Sequence, residues 1–204
     1  MTQKDDEEEE GIKVILVGEA GTGKTSLINA TMGLKFQEHL DTTSTNNFSS
    51  KTIKINNTEY TLNLWDTIGQ EKFRSLTKIF IKDSRIVLLV YDITNVKSFK
   101  ELDYWYKVIH DILGDEPIVG VCGNKQDLIT KEKVKEEDAK AYAENKNLAF
   151  RLTSAKNPLS FNKFLDELVK KYLEKHGVNT GKDDKNKGGI SLNGGKNPDK
   201  KKCC

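Results

Sequence analysis

The sequence predicts an α/β fold, a six-stranded, mainly parallel sheet with one antiparallel edge strand and helices on both faces. Three observations carry this expectation. Apolar runs of strand length alternate with helical patterns from residue 12 to about 176. The strands read as nearly continuous apolar stretches, the mark of a sheet covered on both sides. One pair of alternating segments sits around Asn56-Asn57, a hairpin signal that makes one edge antiparallel.

The elements follow in order. Residues 12–17 (IKVILV) form a first strand and run into a glycine-rich loop. Residues 24–32 have helical spacing, with Gly33 as the C-terminal stop. Segments 51–55 and 59–65 form the hairpin. A buried strand at 86–91, a helix over 98–113 and a strand at 118–122 come next. A charged helix over 134–145, a short strand at 148–152 and a helix over 159–176 complete the set.

Composition sets the outer limits. The 204 residues suit one domain with tails. At 36% hydrophobic and 31% charged, with no apolar run near the roughly 18 residues that span a bilayer, no spanning segment is expected. The first ten residues hold four glutamates and two aspartates where a signal peptide needs a basic start and an apolar stretch. Net charge is only +2, the sum of this acidic head and a basic tail ending in Lys200, Lys201 and Lys202. Beyond Gly177 glycine, asparagine, lysine and aspartate dominate, and nothing there builds a core. The expected organisation is an acidic head at 1–10, a domain at 11–176 and a tail at 177–204. Cys122, in an apolar stretch, reads as a core residue, and His39, His110 and His176 lack metal-ligand spacing.

The chemistry starts at Gly18-Glu19-Ala20-Gly21-Thr22-Gly23-Lys24-Thr25, a G-x-x-x-x-G-K-[ST] motif between a predicted strand and a predicted helix. Glycines let the backbone curl so that several N–H groups point at phosphate oxygens, and the helix that includes Ser26 adds the positive end of its dipole. Lys24 is expected to reach the β- and γ-phosphates and the Thr25 hydroxyl to ligate magnesium. This loop does not choose a base. Asn124-Lys125-Gln126-Asp127 does, following the strand at 118–122, because ligands of open α/β sheets lie outside the carboxyl ends of strands. An Asp127 carboxylate accepts from guanine N1–H and the 2-amino group, whereas adenine presents an acceptor at N1 and has no 2-amino group. Thr153-Ser154-Ala155-Lys156 ends the last strand and completes the pattern.

With these motifs in this order, the segment 11–176 resembles the Ras superfamily of small GTPases, and the chain is identified as a member with the P-loop NTPase G-domain fold. The resemblance implies GTP and GDP as bound nucleotides and Mg2+ as cofactor. It implies that Glu19 to Ser26 cradle phosphate, that Phe36 stacks near guanine, and that Thr43 ligates magnesium in the GTP state. It also implies that Asp66 holds a magnesium-bound water, that the Gly69 amide senses the γ-phosphate, and that Gln70 orients the attacking water. Gln70, Lys24 and Gly69 are then the catalytic set. Asn124, Lys125 and Asp127 frame the base, and Ser154, Ala155 and Lys156 close over it.

Within the superfamily, Lys72-Phe73-Arg74-Ser75-Leu76-Thr77, Leu89-Val90-Tyr91-Asp92-Ile93-Thr94 and Cys203-Cys204 resemble Rab signatures. Phe80-Ile81-Lys82-Asp83-Ser84 and Asn95-Val96 resemble Golgi-type Rabs. This implies a switch in vesicular membrane traffic, double geranylgeranylation of Cys203 and Cys204, and residence on the cytoplasmic face of an intracellular membrane, Golgi or endosomal, with cycling through the cytosol. An exchange factor, an activating protein, a dissociation inhibitor and effectors are the implied partners, and no nucleic acid is. Two chains give stable anchoring where one is marginal, and neighbouring lysines add attraction to anionic lipid.

Two departures stand out. Ser44-Thr45-Asn46-Asn47-Phe48 replaces the family's isoleucine-glycine-valine-aspartate-phenylalanine, in a segment that helps choose effectors. Ile68 replaces the family's alanine before Gly69, where added bulk bears on the closing of switch II and on the catalytic water. A second reading is therefore a GTP-bound scaffold that hydrolyses little, and a third is a P-loop metabolic kinase, disfavoured because a guanine-reading loop serves no second substrate.

Overall fold

The structure is a computed structural model that describes residues 11–38, 47–67 and 74–178. Strands β1 (Ile12–Val17), β2 (Asn47–Ile55), β3 (Thr58–Asp66), β4 (Ile86–Asp92), β5 (Ile118–Asn124) and β6 (Ala149–Leu152) form one sheet in the order β2-β3-β1-β4-β5-β6. β1 pairs in parallel with β3 and β4, β4 with β5, and β5 with β6. β2 pairs antiparallel with β3, with Ile55 opposite Thr58 across a turn whose Asn56 and Asn57 both have positive φ. Asparagine tolerates that conformation better than most residues, which is why this dipeptide marks the hairpin. The expected six-stranded mixed sheet is thus observed.

Helices α1 (Lys24–Thr31), α2 (Arg74–Ile81), α3 (Val96–Lys100), α4 (Leu102–Leu113), α5 (Glu136–Asn145) and α6 (Pro158–Lys175) cover both faces. On one face Val14, Leu16, Leu64, Leu88 and Val90 pack with Leu27 of α1 and with Phe161, Phe164, Leu168 and Val169 of α6. On the other, Ile15, Val17, Val87, Leu89 and Val121 pack with Ile81, Trp105, Ile109, Ala139 and Ala143. Successive strand side chains alternate between the two cores, so β4, buried on both faces, is apolar without a break from Ile86 to Val90.

Several boundaries differ from those expected. The hairpin strands are longer, because cross-strand pairing continues out to Asn47 and Asp66. The helix expected over 98–113 begins at Val96, where the Asn95 side chain accepts from the Lys97 amide at 3.0 Å, and it is interrupted at Glu101. The helix expected from 134 starts at Glu136, since the Lys133 and Val134 amides are both spent on the Ile93 carbonyl. Helix α2 and a 3₁₀ turn at Gln126–Lys131 carried no sequence signal of their own.

Strand β5 is narrow on both sides. A side chain at Gly120 would meet Phe164 and Leu168 of α6 at about 3 Å, and one at Gly123 would meet the Tyr91 hydroxyl at 2.5 Å and Leu152 at 2.6 Å. Cys122 is buried, its thiol 3.0 Å from the Thr153 hydroxyl.

Candidate nucleotide site

The C-terminal ends of β1, β3, β5 and β6 open onto a cavity of about 410 Å³, a size suited to a small organic ligand. Its walls bring together Ala20, Gly21, Gly23, Lys24, Thr25 and Ser26 from the first loop and helix, Phe36 beyond α1, Asn124, Lys125 and Asp127 after β5, and Ala155 and Lys156 after β6. Segments far apart in sequence therefore meet where the strand ends predicted they would.

The first loop is shaped by its glycines. Gly18 has φ 149° and a Cβ there would lie 2.1 Å from the Val90 carbonyl oxygen; Gly23 has φ 90° and a Cβ there would lie 2.4 Å from Asn124 Nδ2. The loop thus sits directly against β4 and the base-side loop. Thr22 is buried and donates to the Glu19 carbonyl at 2.9 Å, bracing the curl from behind, while Glu19 is itself buried outside the cavity wall.

Lys24 crosses under the loop and donates from Nζ to the carbonyls of Gly18 (2.9 Å) and Glu19 (3.0 Å). Burial pushes its ammonium down to about 8, against the opposing pull of Asp66 and Glu19. A buried cation at the mouth of a helix N-terminus, set against the carboxyl ends of parallel strands, is an anion site.

Thr25 donates from Oγ1 to Asp66 Oδ2 at 2.7 Å. A hydroxyl and a carboxylate side by side next to Lys24 form an all-oxygen donor set, the type that a hard cation such as magnesium takes. Among the described residues no group of three or more His, Cys, Asp and Glu side chains is placed to hold a metal ion.

The opposite wall is tied together as tightly. Asn124 donates from Nδ2 to the Thr22 carbonyl at 2.8 Å, and the Gln126 amide donates to the Thr153 carbonyl at 2.9 Å. Lys125 has φ 68° and pairs with Asp92 at 2.7 Å, so its aliphatic stem forms the wall while its charge is satisfied behind it. Asp127 accepts from the Ser154 hydroxyl at 2.6 Å and lies 3.3 Å from Lys156 Nζ. Burial raises the Asp127 pKa, but the hydrogen bonds from Ser154 and Lys156 and the Lys156 charge outweigh it and hold the carboxyl below its ordinary value. Ser154, buried, also accepts from the Lys156 amide at 3.1 Å. Lys156 Nζ stands 5.2 Å from the centre of the Phe36 ring, so these two residues flank one side of the cavity.

Of the expected site residues, Glu19, Thr22, Asp66 and Ser154 brace the cavity rather than line it. Thr43, Gly69, Gln70, Cys203 and Cys204 lie outside the described residues, as does Ile68. The structure adds Gln37, Glu38, Thr67, Leu128 and Lys131 to the wall. Thr67 had a signal, its place beside Asp66, and it anchors by donating to the Leu16 carbonyl at 2.6 Å. The other four follow motif residues in the chain and carry no pattern of their own.

Comparisons with known proteins agree with this geometry. A family model described as the Ras family matches residues 13–174. The chain is 34% identical over 200 residues to Ras-related protein SEC4 of Saccharomyces cerevisiae, covering 95% of this chain and 91% of that protein. It is 33% identical over 162 residues to Ras-related protein Rab5A of Oryza sativa subsp. japonica, covering 79% and 80% respectively. The chain therefore belongs to the Ras family, as a Rab-type small GTPase that binds GTP and GDP and hydrolyses GTP.

Proposed function

We propose that the cavity holds the guanine nucleotide with its phosphates on residues 19–26 and its base against Asn124, Lys125 and Asp127, closed over by Ser154, Ala155 and Lys156. The single observation that carries this reading is the Asn124 to Thr22 hydrogen bond, because it fastens the base-reading loop to the phosphate loop across one cavity. Asp127, held ionised by Ser154 and Lys156, accepts from the guanine edge, and Phe36 covers the face opposite the Lys125 stem.

Lys24 offsets charge on the β- and γ-phosphates, and Thr25 and Asp66 would hold magnesium, Asp66 through a water, with Thr43 joining in the GTP state. Magnesium, when bound, neutralises charge that develops on the phosphate oxygens. Gln70 orients the attacking water, and the Gly69 amide meets the γ-phosphate. Such catalysis consists of positioning and charge stabilisation, so the unaided rate is slow. Hydrolysis then releases the segments carrying Thr43 and Gly69, and the switch changes state.

The chain acts in vesicular membrane traffic as a Rab-type GTPase. A scaffold that hydrolyses little is not favoured, because membership of this family carries GTP hydrolysis. Residues 11–176 are the GTP-binding domain in this reading, and 177–204 are a tail that Cys203 and Cys204 anchor by prenylation to the cytoplasmic face of a Golgi or endosomal membrane, with return to the cytosol. Phe48 is exposed and stacks on Trp65 at 5.3 Å, which in turn meets Phe80 at 5.7 Å. This aromatic row joins β2, β3 and α2 and offers effectors an apolar surface. Exchange factors, activating proteins and a dissociation inhibitor complete the cycle.

Competition binding tests the site. Asp127→Asn is expected to shift preference from guanine toward xanthine nucleotides, since an amide donates to the 2-oxo group that replaces the amine; a variant that still rejects xanthine as the parent does would exclude Asp127 as the base reader. Removing Cys203 and Cys204 is expected to move the protein from membrane to soluble fractions without changing GDP affinity, and persistent pelleting would place the anchor elsewhere.

A further inference from the structure

Lys51 belongs to none of the motifs above, yet its ammonium donates at 2.6 Å to the carbonyl of Thr31, twenty positions earlier in the chain. Thr31 is the last residue of α1 and Lys51 lies within β2, so one side chain ties the end of α1, five residues ahead of Phe36, to the edge strand. The backbone amides that close α1, those of Met32, Gly33 and Leu34, use the carbonyls of Ile28, Ala30 and Asn29. Lys51 serves the Thr31 carbonyl, placing a positive charge at the negative end of the helix.

The contact is built from a third element. Asn162 of α6 accepts through Oδ1 from the Thr31 hydroxyl and from Lys51 Nζ, the latter at 3.5 Å. Lys51 is half-buried, and that burial lowers its pKa from the ordinary value against the opposing pull of Asp166, one turn further along α6. α1, β2 and α6 therefore meet at one polar cluster. From there only a few residues lead to Phe36, whose ring centre stands 5.2 Å from Lys156 Nζ on one side of the cavity.

We infer that Lys51 is a positioning residue for nucleotide retention: by tying Thr31 to β2 it limits how far the segment bearing Phe36 swings from the base. Fixing the end of α1 fixes the start of the short stretch from Met32 to Phe36, so fewer arrangements remain in which the ring is away from the base. The inference rests on the proposed site, in which Phe36 covers guanine, and it concerns the rate of release, not the chemistry of hydrolysis.

The test uses the full chain loaded with fluorescent GDP and chased with unlabelled GDP, at a temperature well below each variant's melting transition. Lys51→Met is expected to release GDP about fivefold faster, the rate ratio of losing one ordinary hydrogen bond. Lys51→Arg keeps a cationic donor and is expected to restore most of the retention, a rescue that a mere packing role would not produce. Should Lys51→Met not fold, Asn162→Ala serves instead and is expected to speed release. Release at the parent rate in Lys51→Met, or in Asn162→Ala where it is used, overturns the inference, and so does equal acceleration by Lys51→Met and Lys51→Arg. A parent chain that fails to retain GDP overturns the site and the clamp together, whereas a retentive parent with indifferent variants overturns the clamp alone.

Discussion

The Asn124 carboxamide donates to the Thr22 carbonyl at 2.8 Å, and a Cβ on the intervening Gly23 would strike that same carboxamide. The two loops are thus fitted to each other to within the size of a methyl group. Asn124→Ala removes the tie while leaving both loops' own bonds in place, and buried hydrogen bonds cost about 1–3 kcal/mol when one partner is left without the other. GDP and GTP affinity are expected to fall together, by about tenfold, in titrations with fluorescent nucleotides. Loss confined to one nucleotide would mean that Asn124 answers to the γ-phosphate and not to the loop.

Thr25→Asn acts on the contact with Asp66. In the proposed site Thr25 and Asp66 would hold magnesium beside the phosphates, where it would offset their charge, so its disturbance weighs more on GTP, which carries the extra phosphate, than on GDP. The expected outcome is a larger drop in GTP affinity at fixed magnesium, with the gap narrowing as magnesium is removed by a chelator. Equal losses throughout would argue against a metal role for Thr25.

Ile68→Ala is expected to raise intrinsic hydrolysis several-fold with GDP affinity nearly unchanged, a barrier change on the order of 1 kcal/mol. The physical reason is bulk next to Gly69 and Gln70, which in the proposed mechanism both come within hydrogen-bond reach of their targets. Single-turnover rates of the parent, Ile68→Ala, Gln70→Leu and the double variant decide it. If Ile68→Ala is no faster than the parent, the isoleucine is a packing substitution.

Cys122 gives a pH dependence of known sign. Burial pushes its thiol up to about 12 from 9.0, against the Thr153 hydrogen bond, so between those values the unfolded chain releases a proton that the folded chain keeps. Its contribution to stability is therefore fully present below about pH 9 and is lost as pH rises toward 12. Denaturant unfolding of the parent and Cys122→Val from pH 8 to 10.5 is expected to show a shallower alkaline decline in the variant. Parallel curves would mean that the thiol ionises as freely in the fold as outside it.

Much of this was legible in the sequence because the relevant physics is local or positional. Gly18 to Thr25 and Asn124 to Asp127 announce themselves by residue type at the ends of strands, and the strand runs themselves fix which end is shared. Ser154 and Lys156 were readable as closing residues, but not as the groups that hold Asp127 ionised, since that requires the fold to bring two loops together. The Lys51 contact left no trace for a similar reason: a lysine in an alternating strand looks like any solvated residue, and its partner is a backbone carbonyl, which every position possesses. Helix α2 is as short as α1, but α1 follows directly on a glycine-rich motif that marks its start, and no such motif precedes Arg74.

The narrowness of β5 has a bearing on how damage would first appear. Gly120 admits α6 from one core and Gly123 admits Tyr91 from the other, so at these two positions the strand that carries Asn124 is pressed with no side chain of its own to yield. Overpacking in either core is relieved by displacing that strand, and the base-reading loop moves with it. Lesions far from the cavity would then register as leaky nucleotide binding at temperatures where the fold is still whole, making occupancy by GDP a more sensitive gauge of core integrity than the melting transition.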